Sequence, residues 1–109
     1  MNNLAEAIRD KDLVYRQYNT SDATTAAVFW KPAGGTRFYI TDCWISTDTA
    51  GTVTLYDGSD TLAVFYFAAN GGMVSNNGVP LKSKQVNNYL KVKHSASGNI
   101  SVTAIGFER

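Results

Sequence analysis

The stretch TVTLYDGSDTLAVFYFAA, residues 52–69, contains two runs of strand-forming residues on either side of an Asp-Gly pair. In the first run Val53 and Leu55 alternate with threonines, which is the period of a strand with one buried face. The second run is apolar and of strand length. Asp57-Gly58 supplies the positive backbone φ that a tight hairpin turn needs. The stretch therefore predicts two β-strands joined by a tight turn.

The same succession of short strand-forming runs and turn residues continues on both sides of this hairpin. Asn70-Gly71 and Asn77-Gly78 are further pairs that favour tight turns. The candidate strands are residues 13–18, 24–31, 37–46, 52–56, 62–69, 73–75 with a continuation near Pro80, 89–94 and 100–107. No segment alternates strands with long helices, which excludes parallel α/β folds. We therefore expect an all-β fold, an antiparallel β-sandwich, and about eight strands favours a jelly roll.

The start of the chain follows a different pattern. Leu4, Ala7 and Ile8 have the i, i+3, i+4 spacing of a short amphipathic helix. A helix this short is not stable alone, so it either docks on another surface or frays. We expect residues 1–22 to form an N-terminal helix or extended arm, and residues 23–109 to form the β-sandwich domain.

Composition and charge exclude several classes of protein. The chain has 109 residues, enough for one domain, with 10 basic and 9 acidic side chains and a formal net charge of +1. This balance argues against nucleic acid as a partner, because a nucleic-acid binder needs a basic face. The single cysteine excludes a disulfide scaffold. Without a secretory signal or the roughly 18–20 apolar residues of a membrane span, we expect a soluble protein made in a cytoplasm, with no membrane partner.

Two candidate strands carry large apolar residues on both faces. Phe65 and Phe67 lie opposite other apolar residues, and Trp44 shares a face with Ile40 opposite Cys43. A sheet with one wet face should not have aromatics on both. Either the N-terminal segment covers the second face, or that face is a subunit interface. We expect a homo-oligomer, specifically a trimer, with Trp44, Phe65 and Phe67 as candidate interface residues.

Few residues could carry catalysis or bind a metal. His94 is the only histidine and ends a lysine-rich strand, which favours a surface position. Cys43 lies in an apolar strand, where a thiol acts as a small hydrophobic group. Asp48, Asp57 and Asp60 could hold calcium, but their spacing matches no known calcium loop and turn geometry explains the Asp-Gly pair. We therefore expect no enzymatic activity and no metal or other cofactor.

The aromatic residues leave one further alternative open. A row of tyrosine and tryptophan side chains could stack on sugars if it were exposed, and carbohydrate-binding modules often use jelly rolls in this way. Aromatic residues in strands are more often packing residues. A carbohydrate-binding module is therefore kept as an alternative to a structural role.

Four stretches carry a recurring pattern of strand and turn residues. They are RFYITDCWISTDTAGTVTLYDG at 37–58, FYFAANGG at 65–72, VPLKS at 79–83 and NYLKVKHSASGNISVTAIGFE at 88–108. In these features the sequence resembles the small β-sandwich virion proteins of tailed bacteriophages. The resemblance covers the chain from Val14 to Glu108 and consists of fold-forming residues rather than catalytic ones.

This resemblance implies a structural role in a virion. Such proteins resemble jelly-roll head decoration, or cement, proteins, which are often trimeric, and also jelly-roll modules of fibres and spikes. We therefore expect a protein of the head surface, made in the host cytoplasm, that binds the major capsid protein. A receptor- or glycan-binding module of a phage fibre is the alternative. The candidate residues for a capsid contact are Leu4, Ile8, Arg9, Lys11 and Arg16.

Overall fold

The computed structural model describes residues 13–109, and these residues form eight β-strands. The strands are β1 (Leu13–Thr20), β2 (Ala27–Trp30), β3 (Phe38–Thr47), β4 (Gly51–Asp57), β5 (Asp60–Phe67), β6 (Gly71–Lys82), β7 (Leu90–His94) and β8 (Ile100–Glu108). Each strand overlaps one of the predicted runs. In this part of the chain no helix is long and apolar enough to cross a membrane. The predicted helix and its residues Leu4, Ile8, Arg9 and Lys11 lie outside the described residues.

The strands pair as one long hairpin that is rolled into two sheets. β4 pairs with β5, β3 with β6, β2 with β7 and β1 with β8, and every pair is antiparallel. One sheet, sheet A, has the order β1-β8-β3-β6, and the other, sheet B, has the order β2-β7-β4-β5. This nesting of pairs around the β4–β5 turn is the jelly-roll arrangement. The expected fold class is confirmed.

The core lies between the two sheets and takes alternate side chains from the strands that face it. Its large members with no exposed surface are Trp30, Phe38, Ile40, Val53, Leu55, Leu90, Val92 and Val102. Burying an aliphatic or aromatic side chain of this size contributes roughly 1.5–3 kcal/mol. Trp30 also joins the sheets through a hydrogen bond, because its indole Nε1 donates to Glu108 Oε2 at 2.6 Å.

Part of the predicted N-terminal arm belongs to the sandwich. β1 pairs with β8 along its whole length, from Leu13 opposite Phe107 onward. Val14 and Tyr18 of β1 pack against the core, which is why this segment is a strand. Residues 13–20 of the predicted N-terminal segment 1–22 are therefore a strand of sheet A, and the division of the chain at residue 22 stays a prediction. Arg16, one of the candidate capsid contacts, lies on an edge strand.

A β-bulge in β3 explains the apolar residues on both faces of that strand. Thr41 is the extra residue, because Ile40 and Asp42 pair with adjacent residues of β8. One additional residue reverses the alternation of side chains along a strand. Ile40 before the bulge and Cys43 after it therefore both face the core, whereas Trp44 is exposed. The prediction that Ile40 and Trp44 share a face is wrong for this reason.

The phenylalanines of β5 point inward. Phe65 and Phe67 are partly buried and pack against the core, while Val64 and Tyr66 are exposed. A register shift adds Leu62 as an extra residue relative to β4, and this side chain also packs on the core. The core of the same chain thus accounts for part of the surface of Phe65 and Phe67, and their place at a subunit interface stays a prediction.

Two of the three predicted tight turns occur. Gly58 has a φ of 63° between β4 and β5, and Asn70 has a φ of 58° before β6. Asn77-Gly78 does not form a hairpin turn, because β6 continues through it with four residues, three of them extra, opposite Thr41 of β3. The Asn77 side chain fills part of this irregularity by donating to the Ile40 carbonyl oxygen.

Candidate functional site

The two outer faces of the sandwich differ in character. On sheet B, Thr54 pairs with Lys93 and Tyr56 with Lys91 across β4 and β7. These residues alternate with core residues such as Val92, so they point away from the core and make the β4–β7 part of this face polar and basic, while β5 adds the exposed Val64 and Tyr66. Sheet A presents mainly uncharged and aromatic residues. Because the centres of protein interfaces are poor in charge and rich in aromatics, the outer face of sheet A is the stronger candidate for a protein contact.

One row of side chains across sheet A combines aromatic, apolar and small polar groups. Gln17, Thr103, Trp44 and Val74 lie side by side on β1, β8, β3 and β6. Tyr15 lies two residues before Gln17, and its ring meets the Trp44 ring edge-on at a centroid distance of 6.4 Å. These residues line an open depression of about 590 Å³. The row crosses the whole width of the sheet.

We call Leu13, Tyr15, Trp44 and Val74 the outer patch. Their exposed fractions are 42%, 53%, 41% and 74%. Exposed apolar residues grouped on a small domain mark contact surfaces, and tryptophan and tyrosine carry much of the binding energy at such surfaces. The structure thus leaves Trp44 available for an interface. It adds three residues that the sequence pattern did not single out, since strand pairing alone brings them together.

The chain itself covers the neighbouring part of this face. The rings of Tyr39 and Phe107 stack with a centroid distance of 4.7 Å and an interplanar angle of 11°. The Arg109 guanidinium lies 5.2 Å from the centre of the Phe107 ring. Phe107 is only 7% exposed as a result. Among residues 13–109, Val79 in the irregular part of β6 is the one exposed large apolar residue of sheet A that lies outside the outer patch.

A second depression, of about 700 Å³, lies at one end of sheet A and is lined by polar side chains. Asn19, Asn70 and Asn99 contribute to its lining. Ser46 and Ser101 line both this depression and the one beside Trp44, so the two are continuous. This surface offers amide and hydroxyl groups next to an exposed indole.

Asp48, at the rim of this polar depression, is held by the loops on either side of it. Its carboxylate accepts hydrogen bonds from Thr49 Oγ1 at 2.8 Å, from the Asn99 backbone N–H at 2.9 Å and from Asn99 Nδ2 at 2.7 Å. The Thr49 hydroxyl, followed by the Asn99 side chain, lowers the pKa of Asp48 from its ordinary value. This carboxylate therefore ties the loop after β3 to the start of β8.

The other two aspartates considered for calcium have separate structural partners. Asp57 is 2% exposed and accepts hydrogen bonds from Ser83 Oγ, the Lys84 backbone N–H and Asn88 Nδ2 at 2.8, 2.7 and 3.0 Å. Asp60 forms a surface ion pair with the Lys84 ammonium at 3.6 Å. Among residues 13–109 no group of three or more metal-binding side chains comes together. Asp57 instead anchors the segment between β6 and β7.

His94 is fully buried at the end of β7, so the prediction of a surface position is wrong. Its Nδ1 accepts a hydrogen bond from the Ala96 backbone N–H at 2.9 Å. Its Nε2 lies 3.1 Å from both the Thr47 hydroxyl and the Thr49 carbonyl oxygen, which can only accept and so places the ring proton on Nε2. Both ring nitrogens are therefore engaged in closing one end of the core.

We expect Cys43 to be unreactive in the folded protein. Its side chain is 2% exposed, and burial raises the pKa of its thiol to about 12. Because the thiolate is the reactive form, only roughly one thiol in ten thousand would be ionised at pH 8. An aromatic disulfide reagent should titrate no thiol in the native protein and one per chain in urea. Rapid labelling of the native protein would contradict this burial.

No protein-family model matches this sequence, and no curated protein matches it. The fold is similar to a chain in the acidic stable capsid structure of Helicobacter pylori bacteriophage KHP30, with a TM-score of 0.63 and 7% identity over 87% of this chain and 86% of that chain. The Tobacco streak virus coat protein is similar at a TM-score of 0.46 and 14% identity, over 90% of this chain and 86% of that chain. At such low identity a likeness concerns the fold alone. The chain therefore shares its jelly-roll fold with a component of a bacteriophage capsid structure.

Proposed function

We propose that this chain is a structural virion protein that decorates and stabilises a bacteriophage head by binding the major capsid protein. The observation that carries the proposal is the outer patch, an exposed aromatic and apolar surface on a rigid sheet. The fold similarity to a chain of the KHP30 capsid structure supports it. The proposal includes no catalysis, since the described histidine and cysteine are both buried in the core region. The protein would be made in the host cytoplasm and act on the head surface.

The outer patch suits a role in which stability comes from burying surface between subunits. Trp44 and Tyr15 already contact each other edge-on, so their rings are partly ordered before a partner arrives. Pre-ordered aromatic side chains lose little conformational entropy on binding. Truncating such anchors at other interfaces weakens binding by about 2 kcal/mol or more. We therefore place Trp44 at the interface between subunits of a homo-oligomer, which we propose to be a trimer.

The proposed capsid contact combines the start of the chain with the first strand. Arg16 lies on β1 with an exposed side chain, and its Nη1 donates to the Tyr15 carbonyl oxygen at 3.2 Å. Leu4, Ile8, Arg9 and Lys11 supply the apolar and basic groups of the preceding segment. A contact through these residues would extend the surface that binds the capsid beyond the sandwich itself.

Deleting residues 1–12 is expected to weaken binding to phage heads without unfolding the sandwich. All eight strands begin at or after Leu13, so the truncated protein keeps every strand and should melt as the full chain does. The measurement is co-sedimentation of the purified protein with heads assembled from the major capsid protein of the same virus. Equal occupancy by the truncated and full-length proteins would exclude the contact through residues 1–12.

Glycan binding by a fibre or carbohydrate-binding module is the second candidate function. It is favoured by the continuity between the polar depression and Trp44, because sugars bind through amide or hydroxyl groups together with a stacked ring. Screening oligosaccharides by Trp44 fluorescence would test it. Saturable changes that Trp44→Phe removes would support this function in place of head decoration.

A further inference from the structure

Sheet A ends in an edge strand whose first half lacks the usual protection against pairing. β6 is 12 residues long and lies at one edge of the sheet, with β3 as its only neighbour within residues 13–109. No charged residue occurs in β6 before Lys82. Its first six residues, from Gly71 to Asn76, pair regularly with β3, and the backbone groups of alternate residues point outward at this edge. Soluble proteins normally protect such an edge with charges, prolines or irregular pairing. The second half of β6 has these in Pro80, Lys82 and its irregular pairing, whereas residues 71–76 have none and are suited to pairing with another strand.

The opposite edge of the same sheet has matching geometry. β1 is eight residues long, with Arg16 as its only charged side chain. Every neighbouring pair in sheet A is antiparallel, so β1 and β6, separated by two strands, run in opposite directions. A β6 strand placed beside the β1 strand of another copy would therefore form an antiparallel pair like all the others. The two edges are compatible in direction, length and charge.

The outer patch is divided between these two edges. Leu13 and Tyr15 lie on β1, whereas Val74 lies on β6 and is 74% exposed. Pairing between the edges of two copies would bring Val74 of one copy next to the β1 half of the patch on the other. The two edges of sheet B do not match in this way, because β5 at one edge has eight residues but β2 at the other has only four.

We propose that copies of this chain assemble head to tail, with β6 of each copy paired to β1 of the next, in a closed ring. Such a contact uses two different surfaces, so it closes only with three or more copies. It covers both edges of sheet A in every copy and joins the outer patches into one continuous surface. The ring rests on the proposed function, because it presupposes the proposed oligomer. It adds to that function by specifying which strands of neighbouring subunits pair.

Paired cysteines test the contact between the two strands. Val74→Cys is combined in turn with Tyr15→Cys, Gln17→Cys and Asn19→Cys, which occupy alternate positions on the same face of β1. Strand neighbours lie within disulfide reach, so mild oxidation should link copies into a closed oligomer in one of the three combinations. The buried Cys43 should not interfere. Linkage by Val74→Cys alone would show two-fold β6–β6 pairing, and no linkage in any combination would equally overturn the ring.

A charge at the edge tests the same contact without cross-linking. Val74→Lys should reduce the solution mass, measured by light scattering, from three or more chains to one, while circular dichroism still shows the folded β-sandwich. Tyr66→Lys is the matched control, since Tyr66 is 82% exposed on the edge strand of sheet B and should leave the oligomer intact. A native monomer or dimer, or dissociation by Tyr66→Lys only, would overturn the ring. A native ring that fails to bind phage heads would instead count against head decoration alone.

Discussion

Gly106→Ala is expected to lower the free energy of unfolding by about 3 kcal/mol or more. Gly106 lies in β8 opposite Ile40, directly beside the bulge of β3. A Cβ atom at this position would overlap the carbonyl oxygen of Tyr39 and lie 2.8 Å from its carbonyl carbon. Both are backbone atoms held in the centre of sheet A, so they cannot move aside without breaking the pairing between β3 and β8.

Gly78→Ala is the matched control for this substitution. An added Cβ at Gly78 has no atom within 4 Å, so its effect on the free energy of unfolding should stay within about 0.5 kcal/mol. Urea unfolding followed by tryptophan fluorescence measures both variants. Equal stability of Gly106→Ala and Gly78→Ala would show that the two strands do not approach closely at the bulge.

Asp57→Ala is expected to destabilise the fold by about 3 kcal/mol. Its buried carboxylate accepts hydrogen bonds from Ser83, Lys84 and Asn88. Without it, the Ser83 hydroxyl can still donate to the Gln85 carbonyl oxygen at 2.7 Å, but the Lys84 backbone N–H and the Asn88 side-chain amide lose their acceptor. The segment between β6 and β7 should also become more accessible, which limited proteolysis would detect as new cleavage near residues 83–88.

Asp60→Ala provides the comparison for Asp57→Ala. Asp60 carries the same charge a few residues away, but its ion pair with Lys84 is on the surface and should contribute less than about 1 kcal/mol. The difference between the two variants therefore measures the buried hydrogen bonds rather than the charge. If Asp57→Ala and Asp60→Ala were equally stable, Asp57 would have no anchoring role.

The positions of the strands could be predicted from the sequence because their signals are local. Alternation marks β4 and β7, and the turn residues Gly58 and Asn70 adopt the positive φ that their pairs predicted. Once the eight strands are placed, antiparallel pairing outward from the turn between β4 and β5 is enough to produce the jelly roll. The Asn77-Gly78 pair predicted a tight turn that does not form, because the extra residues of β6 bulge there opposite β3. A bulge depends on the pairing with the partner strand, which the local sequence does not show.

Which face of each strand is buried was harder to predict than where the strands lie. One extra residue, Thr41, reverses the alternation within β3, and no residue type in that run announces it. The sequence therefore identified Trp44 as an interface candidate but grouped it with Ile40, a core residue. Phe65 and Phe67 pack against the core because the second sheet lies over their face, and no residue type in β5 indicates which of its two faces that sheet covers.

Long-range hydrogen bonds account for the remaining error in the sequence prediction. His94 follows two lysines in β7, and this context favours exposure. The loop after β3 supplies its partners Thr47 and Thr49, more than 40 residues earlier in the chain. In the same way, the outer patch is assembled from three strands that are not consecutive in sequence, so only the sheet order reveals it.

Cryo-electron microscopy of intact virions of the source virus tests the central claim, that this chain decorates a phage head, most directly. We expect density for an eight-stranded jelly roll on the outside of the head, in contact with the major capsid protein and with β6 of one subunit beside β1 of the next. Particles whose heads lack this density, or in which it occurs only on a tail or fibre, would contradict head decoration.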